Sequence, residues 1–113
     1  MASSMKRFGG LEIRATRDRH RYVVALAGEL DIAGADRVTR ELLWAEASDA
    51  QQIVLDLSGL RFIDSSGIRL ILEADARSRS DGDRLRLIRG PGAVQRVFTL
   101  NGLEDHMPWA ETD

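Results

Sequence analysis

The sequence predicts a single α/β domain in which a small mixed β-sheet, built in the order β-β-α-β-α-β-α-β, packs against helices. Three observations lead there. Short apolar runs of strand character alternate with apolar stripes at helical spacing along the chain. The first two strand runs face each other across a short polar turn, as a hairpin requires, whereas the later ones are separated by helices, as parallel strands require. At 113 residues the chain has the length of one domain able to bury most of its apolar surface in one core.

Residues 1–10, MASSMKRFGG, read as a flexible leader ahead of a domain spanning residues 11–113. A secretory signal would need an apolar stretch of about seven or more residues after Lys6 and Arg7, and the charged LEIRATRDRHR stands there instead. Leu11, Ile13 and Ala15 alternate with Glu12, Arg14 and Thr16, the period of a strand with one wet face. Arg17-Asp18-Arg19-His20 is a polar turn, and YVVALA at 22–27 is a second, more central strand, apolar enough to be covered on both faces and ended by Gly28.

Asp31 caps the helix that follows. Ala35, Val38, Leu42 and Ala45 form its stripe over residues 32–47, widened by Leu43 and Trp44. Ser48-Asp49-Ala50 breaks it, and QIVLDL at 52–57 is the next strand. Strand, helix and strand within about thirty residues make a βαβ unit, which crosses right-handed and lays its strands parallel, so the sheet is mixed. Ser58-Gly59 reads as a turn and Leu60 to Ile63 as an extended link. Ile68, Ile71, Leu72 and Ala76 mark a second helix that ends near SRSDGD. Leu85, Leu87 and Ile88 form a further strand, and Pro91 suits the first turn of a third helix with Val94, Val97 and Phe98 on its buried stripe. Asn101-Gly102 stops that helix, leaving a short last strand around residues 107–110.

Composition excludes several classes. Hydrophobic residues at 43% and charged residues at 30% belong to a folded soluble domain, not to a disordered polar chain. No cysteine is present, and His20 and His106 alone do not make a metal site. No apolar stretch approaches a membrane span and no glycine-rich phosphate loop occurs, so neither membrane insertion nor a cofactor is expected, and the cytoplasm is the expected location. Arginines cluster at 14, 17, 19 and 21 and again at 84, 86 and 89, yet Glu12, Asp18, Asp81 and Asp83 interleave with them and the net charge is −2, so no nucleic-acid partner is expected.

Asp64-Ser65-Ser66-Gly67 sits where a strand gives way to a helix, at the carboxyl edge of the parallel strands, and Gly28-Glu29-Leu30-Asp31 reaches the same edge. A serine at a helix start is ordinarily a cap, but Asp64 serves that purpose equally well, so two serines are more than capping needs. Gly67 costs a first helical turn about 0.5–1 kcal/mol relative to alanine. Its benefit is either close packing on the sheet or room for another protein to reach the neighbouring hydroxyl. A hydrolase elbow needs Gly-x-Ser-x-Gly, and Ile63 and Asp64 occupy the first glycine's position ahead of Ser65 and Ser66. Asp56 lacks the acidic pair and the late lysine that a receiver-type phosphoacceptor uses, since no lysine follows Lys6.

GELD at 28–31, IVLDLSGLRFIDSSGIRLIL at 53–72 and RLRLIRGPGAVQRVFTLNGLED at 84–105, in this order and spacing, resemble the STAS domain, most closely that of bacterial anti-sigma factor antagonists, over residues 11–105. The resemblance implies a non-enzymatic binding protein with no catalytic residue. Unphosphorylated, it would sequester an anti-sigma factor that is itself a serine kinase and so release a sigma factor; a serine phosphatase would be a further partner. It also implies that Ser65 is the phosphoacceptor, with Gly28, Glu29, Asp31, Asp64, Ser66, Gly67 and Arg69 on the partner-facing edge. STAS domains also serve as accessory subunits of membrane transporters, including lipid ABC systems, which is the alternative reading; a serine hydrolase is the weaker one. Family members commonly continue into a C-terminal helix, whereas eight residues follow Asp105 here. A sheet edge or face less covered than usual is therefore expected, and with it a possible homodimer.

Overall fold

A computed structural model describes residues 2–110. Among them, five strands form one sheet in the order β1-β2-β3-β4-β5: β1 (Ala2–Phe8), β2 (Leu11–Arg17), β3 (Arg21–Leu30), β4 (Gln52–Ile63) and β5 (Leu85–Ile88). The first three are antiparallel, β3, β4 and β5 are parallel, and α1 (Ile32–Ala47) and α2 (Ser65–Arg79) make the two crossovers. The mixed α/β fold is the one expected. The same right-handed sense in successive crossovers puts both helices on one face of the sheet. There α1 packs on α2, and α3 (Gly92–Leu100) walls a shared cavity with α2. Under them lie Leu11 and Ile13 of β2, Val24 and Leu26 of β3, Ile53, Leu55 and Leu57 of β4, and Leu85 and Leu87 of β5, all buried.

Three local expectations change. Residues 2–8 are not a leader: they form edge strand β1, turned onto β2 through Gly9, whose φ of 62° suits glycine. Its residues are exposed except for Phe8, so no buried alternation marked it in the sequence. Ser58-Gly59 is not a turn but a bulge inside a longer β4: Asp56 lies opposite Ala25 and Gly59 opposite Ala27, with Ser58 N–H donating to the Asp56 carboxylate at 2.9 Å. The last strand shrinks to one parallel bridge between Leu87 and Trp109, because a 3-10 turn at Glu104–His106 uses up the preceding chain. The end of the expected domain, residues 111–113, lies outside the described residues.

The central strand is covered on one face only. Val23, Ala25 and Ala27 of β3 lie half-buried on the other, beside Glu12 and Arg14 of β2 and Val54 and Asp56 of β4, and no described helix crosses them. Polar groups tie the helices to the sheet and to each other. Arg84 donates to the carbonyls of Glu46, Ser48 and Ala50 at 2.6, 3.1 and 2.7 Å, gripping the end of α1. Arg77 makes a two-pronged bond to Glu46 at 2.8 and 3.0 Å, and this hydrogen bond raises its pKa further above the ordinary arginine value.

Candidate functional site

The site grows from one register position. Leu30, the last residue of β3, lies opposite Ile63, the last of β4, and Asp64 N–H donates to the Leu30 carbonyl at 3.2 Å. Two aspartates thus leave the same sheet edge side by side, each starting a helix. Asp31 accepts from Ala33 N–H at 3.0 Å, and Asp64 accepts from Ser66 N–H at 2.9 Å and Gly67 N–H at 3.2 Å. Each sits in extended backbone with its carboxylate over the first-turn amides, where capping and the helix dipole both favour a negative group.

With Asp64 capping, the serines are free. Among the described residues no hydrogen bond engages the hydroxyl of Ser65 or of Ser66. Ser65 is exposed at the first position of α2, whereas Ser66 is half-buried. Arg69, one turn further, is exposed and makes no ion pair among the described residues. Ser65 and Arg69 form a crest with a groove on each side. Toward α1 the groove has a volume of about 450 Å³ and takes in Ile32, Thr39, Ser66 and Glu73; toward α3 it has about 240 Å³ and takes in Ile68, Leu72, Val97 and Asn101.

Other expected members of this edge are buried or turned away from it. Gly67 is buried, and a Cβ there would come within 2.6 Å of Ile63 Cγ1 and 2.9 Å of Leu30 Cγ. Close packing of α2 on the strand ends is the glycine's role, and it offers no surface to a partner. Gly28 is also buried; its φ is 96°, and a Cβ would meet the Gly10 carbonyl oxygen at 2.0 Å, so it serves the approach of β3 to the β1–β2 turn. Glu29 is exposed but turns toward Gly10 and pairs with Arg61 at 3.6 Å, off the crest. Asp31, Asp64, Ser65, Ser66 and Arg69 are therefore the expected residues that the fold gathers.

The apolar rim was missed. Ile32 is 79% exposed and Leu72 38%, although helical period alone assigns Leu72 to the buried face. Phe62, at 49%, points outward three residues before Ser65. An exposed leucine means little alone, but apolar side chains in both grooves beside a free hydroxyl make a surface suited to protein contact. Among the described residues no group of three or more His, Cys, Asp or Glu converges to hold a metal, and no helix is long and apolar enough to cross a membrane.

Comparison with known proteins follows the same outline. The family model described as Mlab, STAS domain matches residues 13–108. The anti-sigma F factor antagonist of Paenibacillus polymyxa is 31% identical over 99 residues, which cover 87% of this chain and 85% of that one. Among solved structures, the anti-sigma factor antagonist SpoIIAA in its unphosphorylated form superposes with a TM-score of 0.66 at 25% identity, over 97% of this chain and 89% of that one. The phosphorylated form of SpoIIAA from Bacillus gives 0.65 at 23%, over 97% and 92%. An anti-sigma factor antagonist from Mycobacterium paratuberculosis gives 0.75 at 22%, over 90% and 86%, a likeness of fold.

Proposed function

Because the chain belongs to the STAS domain family, we propose that it is an anti-sigma factor antagonist, a binding protein switched by phosphate on Ser65. Unphosphorylated, it holds an anti-sigma factor with serine kinase activity through the crest of α2 and the two grooves beside it, and a sigma factor is released. The kinase transfers the γ-phosphoryl group of ATP to the Ser65 oxygen, breaking the γ-phosphorus bond to the bridging oxygen, and ADP and the hydroxyl proton leave. A serine phosphatase hydrolyses the ester and resets the switch. The domain itself performs no catalysis and works in the cytoplasm, where the kinase finds ATP.

One observation carries this reading: the Ser65 hydroxyl is exposed and unengaged at the start of α2 because Asp64 does the capping. A phosphate there adds about −1.5 to −2 charges at neutral pH. The domain tolerates it, since a helix N-terminus favours an anion, and Arg69 lies one turn away. A partner packed into the grooves does not, because an uncompensated charge trapped at an interface costs several kcal/mol, equivalent to a hundredfold or greater loss of affinity by the usual conversion. Stability and binding are thereby uncoupled, as a switch requires.

The test is phosphorylation by the cognate kinase with ATP, followed by location of the phosphate by mass spectrometry. A single phosphate on Ser65, absent from Ser65→Ala, is expected. Phosphate elsewhere, or modification surviving that substitution, removes the site assignment. Ser65→Glu is expected to keep the wild-type unfolding midpoint and to bind the kinase about a hundredfold more weakly. Co-purification with a transporter ATPase or permease in place of a kinase would instead support the accessory-subunit reading.

A further inference from the structure

The outer side of α1 carries a surface that the switch at Ser65 does not use. Trp44 is 52% exposed and Leu43 46%. Trp44, Arg40 and Arg37 recur at helical spacing on the side of α1 that faces β1. Lys6 of β1 lies over the Trp44 ring at 5.3 Å, and Arg37 lies over Phe8 at 4.6 Å. Phe8 packs against the core, so the ring beneath Arg37 is anchored. The fold therefore holds three cations around a half-exposed indole, and none of the three pairs with a carboxylate among the described residues. Glu41, between them on α1, is 7% exposed and accepts from the Tyr22 hydroxyl at 2.5 Å.

That composition, a large aromatic anchor beside arginines, is one enriched at the centres of protein interfaces. It is also remote from Ser65. Trp44 lies thirteen residues along α1 from the cap Asp31, or about 19 Å at the usual helical rise.

We infer that this face of α1 and β1 is a second docking surface, separate from the phosphoserine switch, that takes a carboxylate-rich amphipathic segment of another protein. Its apolar side would cover Trp44 and Leu43, and its carboxylates would meet Arg37, Arg40 and Lys6. Charge complementarity chooses this occupant. A membrane is less suited, because stable attraction to anionic lipid takes a cluster of about four to eight basic residues and the chain as a whole is at −2. A second copy is less suited too: Asp81, Glu104, Glu29 and Asp49 are already paired with Arg84, Arg89, Arg61 and Arg17, and exposed carboxylates outside ion pairs among the described residues, such as Asp36, Glu73, Asp83 and Asp105, are scattered over α1, α2 and two turns and form no acidic stripe on one segment.

The test is an NMR titration of the isotopically labelled full chain with a designed helical peptide of about four turns, bearing leucines on one face and glutamates beside them. Binding should shift the Trp44 indole N–H and the amides of Lys6, Arg37, Arg40 and Leu43, and leave Ser65 and Arg69 unmoved. The same peptide with glutamine in place of glutamate, and the double variant Arg37→Glu with Arg40→Glu, should each bind at least about tenfold more weakly. Arg96→Glu, at an exposed position of α3, should leave binding unchanged, and the amide spectra of all variants should report the same fold. No shift up to about 1 mM peptide, equal binding of the glutamine peptide, or shifts centred on α2 would each overturn the inference. So would binding to phosphatidylglycerol vesicles without binding to the peptide, which would make the face a membrane contact. None of these outcomes depends on whether Ser65 is phosphorylated.

Discussion

Asp64 and Gly67 divide between them what a short motif can and cannot declare. The aspartate's role is local: its carboxylate reaches amides two and three residues on, and that spacing is readable in any chain. The glycine's role is not local, since the atoms that forbid a side chain there belong to Leu30 and Ile63 on two strands. Gly67→Ala should therefore destabilise the domain by about 1–3 kcal/mol despite alanine's better helix propensity, as a lowered urea midpoint would show. Tyr22 behaves likewise. Burial, and then the hydrogen bond to Glu41, pushes its phenol from 10.0 up to about 12. It is the one tyrosine of the chain, so ultraviolet titration reads it alone. A midpoint near 12 is expected, moving back to 10.0 on unfolding. The folded phenol keeps its proton where the unfolded one loses it, so its contribution to stability is complete below pH 10 and is lost as pH rises toward 12.

At the scale of elements, the helices and inner strands were legible because each carries its own periodic signal. Residues 32–47 and 65–79 are helical where the apolar stripes begin and break. β1 was not legible, because an exposed edge strand buries nothing and its sequence shows no alternation. The split of β4 into strand, turn and link failed for a related reason: Ser58-Gly59 has turn chemistry, but pairing with β3 continues past it and absorbs the irregularity as a bulge. The end of α1 also depends on a distant residue. No basic side chain stands in its last turn, and Arg84, just ahead of β5, takes that place by donating to three carbonyls in and just after that turn. Arg84→Met should cost about 1–3 kcal/mol, and hydrogen exchange should quicken in the last turn of α1 before it quickens in α2.

For the whole molecule, both crossovers place their helices on one face and leave the other without a described helix. The consequence is an asymmetric protein: a core under the helices, a half-covered sheet behind, and a site at the edge where β3 and β4 end together. Ser65 needs all of this to act as proposed. The parallel register brings Asp31 beside Asp64, α1 and α3 supply one groove wall each, and α2 raises the hydroxyl between them.

By itself the sequence determined the α/β class, the order of the inner elements, the family and the candidate serine, because periodicity, caps and a contiguous motif act over a few residues. Only the tertiary structure decided that Gly67 and Gly28 serve packing, that residues 2–8 join the sheet, and that Ile32, Leu72 and Trp44 face outward. Exposure and close approach depend on which distant strand or helix lies alongside, and no local pattern of residues carries that.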